Sequence, residues 1–352
     1  MSKENLLGRT LPELQKLLVG LGEKPYRGRQ LFKWLYGTRQ YDFNLMTDFS
    51  RKLREELTLK YTFEGLRLQE KVKSADETEK FLFRLEDEQC IESVLIPNDE
   101  KGRNTVCIST QAGCAMDCKF CATGKNGLAR NLTVGEILGQ LIFIRELYGL
   151  TAFTNIVFMG MGEPLNNFDN LIRAIEIITD SAGLGLAAKK ITVSTAGIVP
   201  RIYKLADLSL KVRLALSLNA AIQEKRVKIM PVAETYPLDK LAEAVRYYTQ
   251  KTGFRVTFEY VLFDGFNDQP EDIIALTELI KGIPCKINIF AYNPVPGMNF
   301  TRPSDEKVDW FARELYPRAP AVTVRKSRGR DIAAACGQLA GKINQGGSFH
   351  VA

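Results

Sequence analysis

The chain has 352 residues, of which 45% are hydrophobic and 25% are charged, and its formal net charge is +7. This composition is ordinary for a globular protein with one large core and a small accessory domain. The longest apolar stretch, residues 147–162, is too short and too interrupted to span a bilayer, and residues 1–22 lack the apolar core of a signal peptide. We therefore expect a cytoplasmic protein whose seven cysteines serve metal binding or catalysis rather than permanent cross-links.

The positive charge is concentrated near the N-terminus. Residues 1–73 contain 15 Lys and Arg against 9 Asp and Glu, an excess of +6, and a second basic group lies between residues 318 and 330. This distribution is typical of a surface that binds phosphate groups, although clustered Lys and Arg are also common on helix faces that contact only water. Charge alone therefore leaves both interpretations open.

Residues 1–75 form a predicted helical domain. Glycine and proline separate three short helical stretches, over 11–21, 27–36 and 50–57. Alternating apolar residues then predict two antiparallel strands, over 80–84 and 90–96. We assign these strands to a β-hairpin extension that covers residues 76–103.

The pattern changes at about residue 104 to strands that are each followed by a helix. Six apolar strands are predicted, over 105–109, 155–159, 190–194, 212–217, 256–262 and 286–290. The clearest helices are predicted over 134–147, 171–180, 238–250 and 271–281. Six such βα units make a parallel α/β sheet with ligand sites at the C-terminal strand ends. We predict this core over residues 104–320 and a C-terminal segment over 321–352.

Three cysteines follow the first predicted core strand with the spacing C-x3-C-x2-C: Cys114, Cys118 and Cys121. A structural zinc site needs four ligands, and a catalytic one built with cysteine usually includes histidine, but the only histidine of the chain is His350. A [4Fe–4S] cluster normally takes four thiolates, so three would leave one iron open to a small molecule. The motif favours an iron–sulfur cluster, with zinc or a metal-free loop as the alternatives.

Glycines and polar residues follow the other predicted strands. They are Gly162 and Glu163 after the second strand, Ser194 at the end of the third, Ser217, Leu218 and Asn219 at the end of the fourth, and Asn293 after the sixth. Because the carboxyl ends of parallel strands meet at one edge, we expect these residues to lie near the three cysteines.

The cysteine spacing is the signature of the radical S-adenosylmethionine (SAM) enzymes. Over nearly its whole length the chain resembles the bacterial adenosine-C2 methyltransferases of 23S rRNA and tRNA. The motifs that carry the resemblance are residues 26–35, 92–97, 107, 113–124, 159–164, 325–330 and 335–341. The resemblance implies a partial (βα)6 radical-SAM barrel with a small helix-hairpin-helix-like domain that docks RNA.

The resemblance also implies the cofactors and their ligands. A [4Fe–4S] cluster would be held by the three motif cysteines, and SAM would chelate its open iron. Gly162 and Glu163 would bind the aminoacyl end of SAM, while Ser194, Ser217 to Asn219, and Asn293 would contact its carboxylate, ribose and adenine. Family members often carry histidine at the position of Asn219, so the resemblance implies a backbone contact there and leaves the role of the side chain open.

Three further residues take catalytic roles by resemblance. Cys336 would be methylated by one SAM, and a radical formed from a second SAM would take a hydrogen from the S-methyl group, so that its carbon adds to adenine C2. Cys107 would help to remove the C2 proton and form a transient disulfide with Cys336. Glu92 would act as a proton acceptor. Without the resemblance, all three would read as ordinary strand or core residues.

The predicted partners are 23S rRNA, tRNA and an electron donor such as flavodoxin or ferredoxin, and the predicted state is a monomer. The basic motif at 325–330 would hold the RNA backbone. Two other interpretations remain at this point. One is the sister enzyme that methylates C8 of the same rRNA adenosine, and the other is an RNA-binding iron–sulfur protein without catalytic activity.

Overall fold

The computed structural model describes residues 3–97 and 102–341. His350, with the rest of 342–352 from the predicted C-terminal segment, and residues 98–101 of the predicted hairpin extension lie outside the described residues. A small N-terminal domain contains three α-helices, α1 (Leu11–Gly20), α2 (Tyr26–Phe32) and α3 (Arg51–Lys60). A π-helical turn, Lys33–Thr38, continues α2, and two short parallel strands, β1 (Glu4–Asn5) and β2 (Tyr61–Thr62), join the two ends of the domain.

The remaining described strands are β3 (Arg67–Lys73), β4 (Glu79–Arg84), β5 (Cys90–Ile96), β6 (Thr105–Cys107), β7 (Gln111–Gly113), β8 (Leu128–Asn131), β9 (Asn155–Phe158), β10 (Ile191–Thr195), β11 (Arg213–Ser217), β12 (Val256–Leu262), β13 (Cys285–Ala291) and β14 (Val322–Val324). Ten of these described strands form one sheet in the order β14-β13-β12-β11-β10-β9-β6-β5-β4-β3. The strands from β14 to β6 are parallel, and the hairpin strands β5 to β3 continue the sheet in antiparallel fashion. β7 and β8 form a separate pair.

Helices connect and cover the parallel strands: α4 (Ala122–Lys125), α5 (Val134–Tyr148), α6 (Phe168–Thr179), α7 (Val199–Asp207), α8 (Gln223–Ile229), α9 (Val232–Thr235), α10 (Leu238–Thr252), α11 (Pro270–Ile280) and α12 (Asp305–Leu315). The core lies between these helices and the sheet. Ile156, Val193, Leu214 and Ile287, one from each of four parallel strands, have no exposed surface. Burial of such branched apolar residues is the main force that holds parallel sheets together.

The structure confirms the predicted α/β class and all six parallel strands, with small shifts at their ends. It adds a seventh parallel strand, β14, which is too short to give a periodic pattern. It also places residues 67–73 in the main sheet as β3, so that the predicted boundary at residue 75 falls inside a hairpin. β3 is an edge strand rich in exposed charged residues, which hides its strand pattern in the sequence.

No helix among the described residues is both long enough and apolar enough to cross a membrane. The fold positions the functional motifs through its parallel strands. The carboxyl ends of these strands meet at one edge of the sheet, and the C-terminal segment after β14 returns to this edge.

Candidate active site

A cavity of about 160 Å³ opens at the carboxyl ends of the parallel strands. Its wall contains ten of the thirteen residues singled out from the sequence: Cys114, Cys118, Cys121, Gly162, Glu163, Ser194, Ser217, Asn219, Asn293 and Cys336. Cys107 lines an adjoining cavity that also contacts Cys336 and Cys121. Leu218 is buried in the core, and Glu92 lines neither cavity.

The cysteine loop is fixed at its start by a close backbone approach. Gly113 has φ +80°, and a Cβ at this position would lie 2.0 Å from the carbonyl oxygen of Gly127. The next residue, Cys114, donates its backbone N–H to the same oxygen at 2.8 Å, and Cys121 donates to the Cys118 carbonyl at 3.0 Å. Only glycine fits at position 113, which explains why a glycine comes directly before the first cysteine of the motif.

Burial raises the pKa of Cys114 to about 12 and also raises the pKa of Cys118. Metal binding would therefore have to displace the thiol protons. No group of His, Cys, Asp and Glu in the described part of the chain converges as the ligands of a single metal ion would. Thiolates that bind three different irons of a cubane do not need to converge on one point. Three soft thiolates on one pocket wall suit an iron–sulfur cluster.

Two backbone amides hold Glu163 in the cavity wall. Its Oε1 accepts from the Leu165 amide at 3.0 Å and its Oε2 from the Ala196 amide at 2.7 Å. Burial raises its pKa to about 7, although these amide bonds favour the charged form. Gly162 has φ +99°, and a Cβ there would lie 2.5 Å from the side chain of Gln111. The loop thus presents a fixed carboxyl group that can meet a ligand ammonium group.

The two asparagines of the cavity differ in what they offer a ligand. Asn219 has a left-handed backbone, and its side chain bonds to the Val261 amide at 3.1 Å and to the Met230 sulfur at 3.3 Å. Asn293 donates its Nδ2 to the Cys336 carbonyl at 3.2 Å, while its buried Oδ1 has no partner among the described residues. Asn293 therefore offers a free acceptor.

Cys336 lies in a turn that packs against the cysteine loop. The Ala122 amide donates to the Gly337 carbonyl at 2.8 Å, and the Thr123 hydroxyl donates to the Leu339 carbonyl at 2.6 Å. Cys336 keeps contact with solvent through the cavity. These bonds hold the segment so that its cysteine borders both cavities.

Cys107 and Cys336 are both unbonded thiols and interact electrostatically. Burial, together with the neighbouring Cys336, raises the pKa of Cys107 to about 12. Desolvation by the surrounding residues also raises the pKa of the Cys336 thiol, but Arg325 opposes this shift. Arg325 lies in both cavity walls and pairs with the buried Glu259 at 3.5 Å. Arg325 therefore lies beside the two thiols, and its side chain is still 42% exposed.

The sequence analysis did not identify Glu259. The available signal was a carboxylate in the middle of the predicted apolar strand 256–262, but no motif marked it. Glu259 accepts from the Asn288 amide group at 2.8 Å and balances the charge of Arg325.

Glu92 is buried under the C-terminal segment. Its Oε1 pairs with Lys80 at 3.0 Å, and its Oε2 accepts from the amides of Ala340 and Gly341 at 2.7 and 3.0 Å. Lys80 also donates to the Ala333 carbonyl at 3.4 Å. This ion pair contacts the segment on both sides of Cys336, and we call it the hairpin ion pair.

The comparisons with known proteins agree with this architecture. The model of the ribosomal RNA large subunit methyltransferase N-terminal domain matches residues 4–62, and that of the radical SAM superfamily matches residues 108–277. The "probable dual-specificity RNA methyltransferase RlmN" of Geobacillus thermodenitrificans is 45% identical over 95% of this chain and 92% of its own. The protein of the same name from Christiangramia forsetii is 43% identical over 97% of both chains.

A solved structure is similar over the whole fold. The crystal structure of a radical SAM methyltransferase from Sphaerobacter thermophilus matches with a TM-score of 0.90 and 42% identity, over 96% of this chain and 100% of that one. Both the N-terminal domain and the barrel are therefore accounted for by related proteins. The chain belongs to the RlmN family of RNA methyltransferases within the radical SAM superfamily.

Proposed function

We propose that this chain methylates C2 of an adenosine in 23S rRNA and in tRNAs, with a [4Fe–4S] cluster and SAM as cofactors. The observation that carries the proposal is the meeting of Cys336 with the cysteine loop and the strand-end residues in one cavity, with Cys107 beside it. Membership of the radical SAM superfamily implies both cofactors.

Each residue of the cavity has a place in this proposal. Cys114, Cys118 and Cys121 hold the cluster, which supplies the electron that cleaves SAM to a 5′-deoxyadenosyl radical. Glu163 meets the ammonium group of SAM. Asn293 offers its Oδ1, which has no partner among the described residues, to a hydrogen-bond donor on the adenosine part of SAM. Ser194, Ser217 and the backbone of Leu218 and Asn219 complete the SAM contacts, and they lie at neighbouring strand ends.

Cys336 is the proposed methyl carrier. Its thiolate displaces S-adenosylhomocysteine from one SAM. The 5′-deoxyadenosyl radical would then take a hydrogen atom from the S-methyl group, the resulting carbon radical would add to C2, and the unpaired electron of the adduct would return to the cluster. Adenine C2 is electron-poor, so a direct attack by it on the SAM methyl group is unfavourable. The Arg325 guanidinium favours the thiolate form of Cys336.

Cys107 is the proposed resolving residue. It lines the cavity that it shares with Cys336, and it would take part in proton removal and attack the sulfur of Cys336 as the methylated base leaves. Glu92 has the proton-acceptor role by resemblance, but both of its carboxylate oxygens are engaged by Lys80 and two backbone amides. These contacts favour Cys107 for proton removal and Glu92 for holding the segment.

The proposed partners follow from the substrate and the chemistry. The N-terminal domain, with most of the net charge, docks RNA, and an electron donor such as flavodoxin or ferredoxin reduces the cluster. We propose that the protein works as a monomer in the cytoplasm, where its RNA substrates lie.

The test is nucleoside analysis of RNA from cells that lack this gene, with and without complementation. Digested 23S rRNA and tRNA are compared by chromatography with 2-methyladenosine and 8-methyladenosine standards. Loss and restoration of 2-methyladenosine is the expected result. Dependence of 8-methyladenosine on the gene would assign the C8 reaction instead, and dependence of neither would refute the proposal.

A further inference from the structure

Arg226, on α8, is the largest side chain of the described structure that has no exposed surface. Its guanidinium lies behind the wall of the cavity. Nη2 donates to the carbonyls of Ala196 at 2.6 Å and Ser217 at 3.5 Å, and Nε donates to the carbonyl of Leu218 at 3.1 Å. One side chain therefore ties together the ends of β10 and β11, where the proposed SAM contacts lie.

Among the residues that the structure describes, no acid balances the charge of Arg226. Within the described residues no carboxylate pairs with it, and its buried Nη1 has no hydrogen-bond partner. Burial lowers its pKa to about 10, which still leaves it charged at neutral pH, and Cys118 favours the charged form. Leaving a guanidinium unpaired inside a protein is costly unless an anion lies near it.

The anion that suits this position is the iron–sulfur site. α8 is attached to the cysteine loop, because the Lys119 amide, next to Cys118, donates to the Ile229 carbonyl at 2.9 Å. A cubane held by three thiolates is anionic, and its negative charge increases when it accepts an electron. A fixed positive charge nearby stabilises the reduced form more than the oxidised form.

We propose that Arg226 is the buried counter-charge of the cluster. Its positive charge raises the reduction potential of the cluster, and its hydrogen bonds hold the ends of β10 and β11 in place. This inference rests on the cluster assignment of the proposed function. Arg226 acts through the cluster and the strand ends, so it is a positioning residue rather than a catalytic one.

The test compares Arg226→Met and Arg226→Lys after anaerobic iron–sulfur reconstitution. Arg145→Met is the matched control. Arg145 is also buried, has no carboxylate partner among the described residues and donates to the Leu184 carbonyl at 2.9 Å, but its charged neighbour is Arg39 rather than a thiol. Iron content and the midpoint potential from a spectroelectrochemical titration are measured without SAM or RNA.

Arg226→Met should shift the midpoint potential to more negative values, whereas Arg226→Lys and Arg145→Met should remain near the wild-type value. An iron-loaded Arg226→Met protein with the wild-type potential would overturn the proposal. If the methionine variant does not load iron, Arg226→Gln replaces it, since glutamine keeps a donor for a carbonyl but has no charge.

Two further outcomes concern loading itself. If Arg226→Met and Arg226→Gln both fail to load iron and Arg226→Lys loads it, the result supports the proposal that the cluster needs a positive charge at this position. If Arg226→Lys also fails while Arg145→Met loads iron, the guanidinium geometry is what matters and the counter-charge proposal is wrong. Failure of the wild-type protein to hold a cluster would instead refute the proposed function.

Discussion

Replacing Lys80 with methionine removes the cation of the hairpin ion pair and leaves the Glu92 carboxylate buried. The side chains of Lys80 and Glu92 are only 6% and 2% exposed, so water cannot take the place of the lost partner. Removing one member of such a buried pair costs about 3–5 kcal/mol. Because the pair contacts Ala333 on one side of Cys336 and Ala340 on the other, we expect this loss to appear as local opening of the segment.

Hydrogen exchange of residues 333–341, followed by mass spectrometry, measures this opening. Since each 1.4 kcal/mol is a factor of ten, exchange should accelerate by roughly a hundredfold or more. Lys71→Met is the control, because the Lys71–Glu79 pair lies in the same hairpin with Lys71 37% exposed, where a pair is worth about 0–1 kcal/mol. Equal exchange in Lys80→Met, the control and the wild type would refute the reasoning.

Variants of the hairpin ion pair distinguish two possible roles of Glu92, proton acceptor and residue that holds the segment. A proton acceptor would be lost in Glu92→Gln and retained in Lys80→Met, whereas a residue that holds the segment is impaired in both. We expect both variants to open the segment and to slow RNA methylation. The two changes combined should destabilise the segment by less than the sum of the single changes, because the residues act on each other.

The remaining predictions concern the cysteines and pH. Cys118→Ala should abolish both iron loading and 5′-deoxyadenosine formation, and a variant that still holds four irons would disprove the ligand assignment. Cys107→Ala should accumulate a protein–RNA adduct on denaturing gels and Cys336→Ala should not; an adduct in the second variant would reverse their roles. The hydrogen bond from Ser74 lowers the pKa of Asp331, so this contact stabilises the C-terminal segment above the ordinary aspartate pKa and is lost as the pH falls through the lowered value. The protection of residues 329–341 relative to their intrinsic exchange rates should therefore fall in acid, and Asp331→Asn should show this loss of protection already at neutral pH.

The parallel barrel was predictable because its strands are apolar and each is followed by a helical pattern. The cysteine loop and the residues at the strand ends were predictable for the same reason, since strand order brings them to one edge. Leu218 was the exception. It follows a polar strand end in the sequence, but it is buried in the core and does not line the cavity.

The contacts of the C-terminal segment could not be predicted in this way. Lys80 meets Ala333, and Glu92 meets Ala340, across about 250 positions of the chain, and no local pattern reports such a pairing. Arg226 was equally hidden, because on a short helix it reads as a surface residue until its carbonyl partners are known. The apolar periodicity of a chain records which faces are buried, but it does not record where an isolated buried charge finds its partners.

The packing of the Cys336 turn against the cysteine loop has a consequence for biosynthesis. The ribosome releases the chain from the N-terminus, so the cysteine loop and the barrel strands emerge before the segment that carries Cys336. Until that segment is made, Thr123 and Asn126 lack their partners Leu339 and Ala340, and this side of the cavity has no cover. Translation therefore leaves an interval in which the three cysteines are accessible from the side that the finished protein closes with the Cys336 segment.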